Sequence, residues 1–133
     1  MNKPEHVPAD SILDREHDVQ VALLQAFHAA LAGYTEPDTA TEILARLADY
    51  SSAHFLSEEL LMRLASYDGY DDHVADHVRM LDELARIQSE HASGQAPLAA
   101  RHAREVEAFL LQHIQTRDGR FAAWSAGSRE VVG

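Results

Sequence analysis

The chain has 133 residues, of which 46% are hydrophobic and 25% charged, with six Gly, four Pro, no Cys and a formal net charge of −11. That length suits one domain with one core, and the acidity excludes nucleic acid and anionic membranes as partners, since both need a basic face. Without cysteine there is no disulfide framework, iron–sulfur cluster or thiolate zinc site, and with neither a membrane-length apolar run nor a signal-peptide pattern a soluble, cytoplasmic protein is expected.

Residues 1–10 are polar with two prolines and are expected to form an arm. The first helix is predicted from Asp10 or Ser11, where Ser11 and Asp14 make a weak capping box, to Gly33. Its inward stripe reads Leu13, His17, Gln20, Leu24, Phe27, Leu31, the three-four alternation of a bundle helix interrupted by two polar side chains. A turn at Tyr34 to Asp38 leads to Thr39 and Glu42, a better capping box. The second helix carries Ile43, Leu47, Tyr50, Ser51, His54, Glu58, Leu61 and Met62 on one side and runs to about Ala65.

Asp71 or Asp72 is predicted to cap a third helix presenting His73, His77, Met80, Leu84 and Ile87 before a turn at Ser93-Gly94. Pro97 suits the first turn of a fourth helix with Val106, Phe109, Leu110, His113 and Ile114 inward. Gly119 is expected to weaken or end it, with Phe121 to Trp124 packing back as a further turn. Four helices of this length joined by short turns make an all-α, antiparallel up-down-up-down four-helix bundle over residues 11–126, with a tail at 127–133.

His54 and Glu58, and again His73 and His77, are four apart, so each pair lies roughly 40° apart on one helical face. Antiparallel order brings His17, His54, Glu58, His73, His77, His113 and Asp118 to one end of the bundle. Five imidazoles and two carboxylates are too many for one ion. Two six-coordinate ions offer about twelve positions, which five His, two bridging carboxylates and a bridging oxygen fill but for one. The zinc-protease pattern His-Glu-x-x-His fails because Val74 stands in place of its Glu, and the ferritin-like Glu-x-x-His pair occurs nowhere in the chain.

Leu13-Asp-Arg-Glu-His17, His54-Phe-Leu-Ser-Glu58-Glu59-Leu-Leu-Met62, His73-x-x-x-His77 and His113-Ile-Gln-Thr-Arg-Asp118, in this order, resemble the hemerythrins, in particular the bacterial single-domain members, from about Leu13 to Trp124. The resemblance implies two iron ions, one held by His73, His77 and His113 and the other by His17 and His54. Glu58, Asp118 and an oxo or hydroxo group would bridge them. It further implies reversible dioxygen binding at the iron with two His, shielded by Phe55, Phe109 and Leu110. Azide, nitric oxide or peroxide are the other small ligands such a position accepts. A binding protein is thus expected rather than an enzyme; peroxide or nitric-oxide consumption and an oxygen or redox sensor are the alternatives.

The chain departs from the family at three points. The N-terminal arm has no counterpart of the family Trp, Glu16 stands where Gln is usual, and Gln20 stands where a Leu walls the oxygen pocket. Either Gln20 faces inward and its amide needs a polar partner, an ordered water, the bound ligand or the bridging oxygen, or the helix is rotated so that Val21 takes that place and the amide reaches solvent. Asp118 follows His113 by five residues, about 140° round an ideal helix, so a local irregularity is expected between His113 and Gly119. The outer ring nitrogens of the ligand His should donate to carbonyls or acids, whereas Asp76 and Glu59 are expected to face water. His6, His91 and His102 are read as solvated.

Overall fold

A computed structural model describes the backbone of residues 9–31 and 37–132 and the side chains of residues 15–31 and 39–127. The expected Ser11–Asp14 box, Leu13, His6, the end at Gly33 and most of the turn at Tyr34 to Asp38 lie outside the side chains or residues described. The elements are α1 (Ala9–Ala29), α2 (Pro37–Leu64), α3 (Tyr70–Ala92), α4 (Ala96–His113), a π-helical turn (Ile114–Asp118) and α5 (Gly119–Val132). The principal contacts run from α1 to α2, α2 to α3, α3 to α4 and back from α4 to α1, as four antiparallel rods require. Among the described residues no helix is long and apolar enough to cross a membrane.

The core follows the three-four stripes. Leu24 and Phe27 of α1, Leu44 and Leu47 of α2, Met80, Leu84 and Ile87 of α3, and Ala103, Val106 and Leu110 of α4 are buried together. Leu44 takes an inward place beside Leu47, while Ile43 is only partly buried against the cluster. α2 begins at Pro37, two residues before the expected cap, because proline has no N–H to leave unpaired in a first turn. Glu42 pairs with Arg46 one turn on instead of reaching back to Thr39.

The turn between α2 and α3 closes the end of the bundle that holds His54 and His73. Ser66 takes φ +56°, and Tyr67 N–H reaches back to the Met62 carbonyl at 2.9 Å, a Schellman-type end with serine in the left-handed position. A Cβ at Gly69 would stand 2.7 Å from the Tyr67 ring, so the glycine lets that ring fold under the turn. Asp71 and Asp72 lie inside the first turn of α3 with Gly69 as N-cap, favouring the positive helix end without a capping hydrogen bond.

Gly119 does not stop the fourth rod. The π turn passes directly into α5, whose Phe121 packs on Tyr67 at 4.9 Å between centroids, with Trp124 at 5.0 Å from the same ring. This second cluster, with Met62, caps the end that holds the histidines.

Candidate metal centre

All seven residues expected to meet at one end do so. Their side chains come from four rods: His17 from α1, His54 and Glu58 from α2, His73 and His77 from α3, and His113 with Asp118 from α4 and the π turn. The five histidines and Glu58 are buried. The π turn explains how His113 and Asp118, five residues apart, serve one centre: its wider winding brings round a carboxylate that a regular α-helix would turn away.

Glu58 divides its two oxygens between two groups of rings. Its Oε1 lies 3.2 Å from His73 Nε2 and 2.9 Å from His77 Nε2, while its Oε2 lies 3.6 Å from His17 Nε2 and 3.8 Å from His54 Nε2. Asp118 divides likewise, with Oδ1 2.6 Å from His73 Nε2 and 3.2 Å from His113 Nε2, and Oδ2 2.9 Å from His17 Nε2. Among the described residues, two sets of ligand atoms converge closely enough to share an ion: Glu58, His73, His77 and His113, and His17, His54 and Glu58. Glu58 belongs to both.

Three of the five outer ring nitrogens are held by acids in a regular order, whereas His17 Nδ1 is buried without a partner. His54 Nδ1–H donates to Glu16 Oε1 at 2.6 Å, His77 Nδ1–H to Glu59 Oε2 at 2.7 Å, and His113 Nδ1–H to Asp76 Oδ2 at 2.9 Å. Each acid is the immediate sequence neighbour of a residue of the cluster and holds the histidine on the next helix round: α1 to α2, α2 to α3, α3 to α4. Asp76 and Glu59, expected in water, therefore lie in the seams between helices. A side chain about 100° from the core direction meets the adjacent rod there before it meets solvent. Arg117 of the π turn adds a second hydrogen bond to Asp76 Oδ2 at 3.0 Å. With Nδ1 carrying the proton, Nε2 is the nitrogen free to bind a metal.

Charge within the cluster is strongly coupled. Burial alone would raise the Glu58 carboxyl, but the His17, His73 and His77 rings crowded against it hold it far below the usual carboxylate range. Asp118 is likewise held low against burial by His113, His17 and His73. Burial would lower the His17 and His73 rings, yet Asp118 and Glu58 carry each up to about 9.

The donor set fits a metal rather than a hydrogen-bond network. His17, His54, His77 and His113 Nε2, both Glu58 oxygens and Asp118 Oδ2 are buried and make no properly directed hydrogen bond, although they face one another within ion-pair distance. Buried polar atoms are rarely left so, and most of the unpaired ones among the described residues converge on this one point. Imidazole and carboxylate without thiolate suit iron, zinc or manganese.

Of the four residues expected to line the ligand pocket, Phe55 stacks on the His77 ring, 4.0 Å between centroids and 9° between planes. Phe55, Leu110 and Gln20 line a small interior cavity. Phe109 is half-buried on the outer flank, its ring 4.3 Å beneath the Arg79 guanidinium, and borders a separate surface cleft. Gln20 does face inward at 1% exposure, and its partner is Ser51, whose Oγ accepts from Nε2 at 3.0 Å. Ser51 lies on the inward stripe expected of the second helix, 31 residues from the amide it pairs with. At the far end His102 is buried rather than solvated, its Nδ1 2.8 Å from Glu90 and its Nε2 2.6 Å from Arg86. His91 is half-buried and meets Thr41 Oγ1 at 3.1 Å, and His28 faces Glu107 at 3.4 Å.

A buried imidazole–carboxylate cluster among the rods of an antiparallel bundle defines a metal-binding helical-bundle protein. The sequence model of the hemerythrin HHE cation binding domain matches residues 9–124, and the chain belongs to that family. It is 27% identical over 110 residues to a myohemerythrin of Sipunculus nudus, covering 83% of this chain and 80% of that one. A bacteriohemerythrin of Methylococcus capsulatus is 27% identical over 105 residues, 79% of each chain, and a hemerythrin of Phascolopsis gouldii 25% identical over 111, 84% of this chain and 80% of that one. No solved structure matches the chain significantly.

Proposed function

We propose that the cluster holds two iron ions joined by an oxo or hydroxo group, and that the protein binds dioxygen reversibly at one open iron position. His73, His77 and His113 hold one ion, His17 and His54 the other, and Glu58 and Asp118 bridge them. The observation that carries this reading is the division of both carboxylates, one oxygen toward each group of rings. A single ion would draw the oxygens together. Two ferrous ions supply the two electrons that dioxygen binding takes up and returns.

The chain itself contributes aim and dryness. Glu16, Glu59 and Asp76 fix the tautomer and direction of three rings, and Phe55 and Leu110 keep bulk water from the interior side. Azide, nitric oxide and peroxide are ligands the same position would take, and a cytoplasmic setting belongs to this proposal. Loading with ferrous ion should give two iron ions per chain and a visible absorption that comes with air and goes when oxygen is removed. Uptake of a single ion, or a Glu58→Ala variant that still takes two, would contradict the reading.

A further inference from the structure

The layer next to the histidines is partly polar, and nothing beyond it can satisfy that polarity. One turn from His17, His54, His77 and His113 toward the bundle centre stand Gln20, Ser51, Met80 and Leu110, one from each rod. One turn further stand Leu24, Leu47, Leu84 and Val106, wholly apolar. These eight residues and Phe55 line a cavity of about 10 Å³, close to the least that admits one water molecule. Gln20 Nε2 donates to Ser51 Oγ, but Gln20 Oε1 is buried with no partner. The amide and hydroxyl together retain a free acceptor, a second N–H and the Ser51 O–H.

Resting on the two-iron reading above, we infer that Gln20 and Ser51 form a hydrogen-bonding subsite that holds one water molecule beneath the metal centre, and that this water hydrogen-bonds acceptor ligands bound there. A water donating to Gln20 Oε1 and accepting from Ser51 keeps one O–H to give. The apolar layer offers it no acceptor, so that hydrogen is directed to the metal side. The ligands so favoured are small and carry lone pairs or negative charge at their outer atom, azide being the simplest. Were the pair only a structural link between α1 and α2, Gln20 Oε1 would have no reason to stand free in a cavity of this size.

The test has two readouts, one of which needs no metal. In the metal-free protein, magnetisation transfer from water to the Gln20 side-chain amide, measured by nuclear magnetic resonance, should show a long-lived bound water. The signal should be weakened in Ser51→Ala, and Gln20→Glu, a side chain of the same shape that keeps an acceptor, should still show a buried water by relaxation dispersion that Gln20→Leu lacks. In the iron-loaded protein, azide should bind about tenfold more weakly to Gln20→Leu than to the parent, the loss of one hydrogen bond to a charged acceptor. Absence of the bound water from the parent protein, or equal azide affinity in parent and Gln20→Leu, overturns the subsite. Failure of the parent to take up iron would instead overturn the two-iron reading, while the metal-free measurement still decides whether the water is held.

Discussion

Asp76→Ala is expected to weaken metal binding without touching a ligand. Asp76 Oδ2 accepts from His113 Nδ1 at 2.9 Å and from Arg117 Nε at 3.0 Å, so one carboxylate joins His113 on α4 to the π turn that carries Asp118. Removing it strands the Nδ1–H of a ring that is 2% exposed, a cost of about 1–3 kcal/mol. Arg117 is partly exposed and turns to water at little cost. Loss of such an outer partner lowers metal affinity by roughly tenfold to a hundredfold, or about 1.4–2.7 kcal/mol. Burial works against the Asp76 carboxylate, but the hydrogen bonds from His113 and Arg117 hold its pKa below the ordinary 3.8. A lowered carboxyl contributes above its unfolded value and fades only as pH falls through the folded one, so the whole effect is present at pH 7. Competition with a chromophoric chelator measures the affinity, with Asp82→Ala on the exposed side of α3 as the control. Asp76→Asn keeps an acceptor without the charge and should fall between the two. If Asp76→Ala binds iron as tightly as Asp82→Ala, the hydrogen bond to His113 does not aim the ring and the reasoning fails.

Phe55→Ala removes a buried ring stacked on His77 and should cost about 3–5 kcal/mol of unfolding free energy, read from denaturant curves of the metal-free protein; a loss under 1 kcal/mol would show that the stack carries little. His102→Ala, at the opposite end, should destabilise by about 1–3 kcal/mol through lost packing and its bonds to Glu90 and Arg86, yet leave iron content unchanged, because distant sites act independently. The neighbouring carboxylates carry the His17 and His73 rings up to about 9 in the metal-free protein, so metal uptake at pH 7 should release about two protons from these rings besides those lost in forming the bridging oxygen; calorimetry in buffers of different ionisation heat would reveal equal heats if no proton leaves.

Much of the site was legible because ligands must share a helical face and a level. His54 with Glu58 and His73 with His77 stand four apart, and antiparallel order does the rest. The irregular turn was legible for the same reason: five residues from His113 to Asp118 fit one centre only if the helix widens, and it does so over Ile114–Asp118. What could not be read was the seam between rods. Asp76 and Glu59 sit beside inward residues on the helical wheel, and a wheel drawn for one helix shows water where the bundle puts a neighbour. The usable signal is an acid immediately next to a ligand on the flank facing the following helix, as Glu16, Glu59 and Asp76 all are. The Gln20–Ser51 pair was hidden because it joins residues 31 apart, each polar side chain appearing alone on an otherwise apolar stripe.

Reversible dioxygen binding is measured by dioxygen titration of the anaerobically reduced, iron-loaded protein. Uptake should saturate at one dioxygen per chain, that is, per two iron ions, with the gas returned when its pressure is lowered. Uptake that continues past that ratio in the presence of a reductant, or that cannot be reversed, would contradict reversible binding.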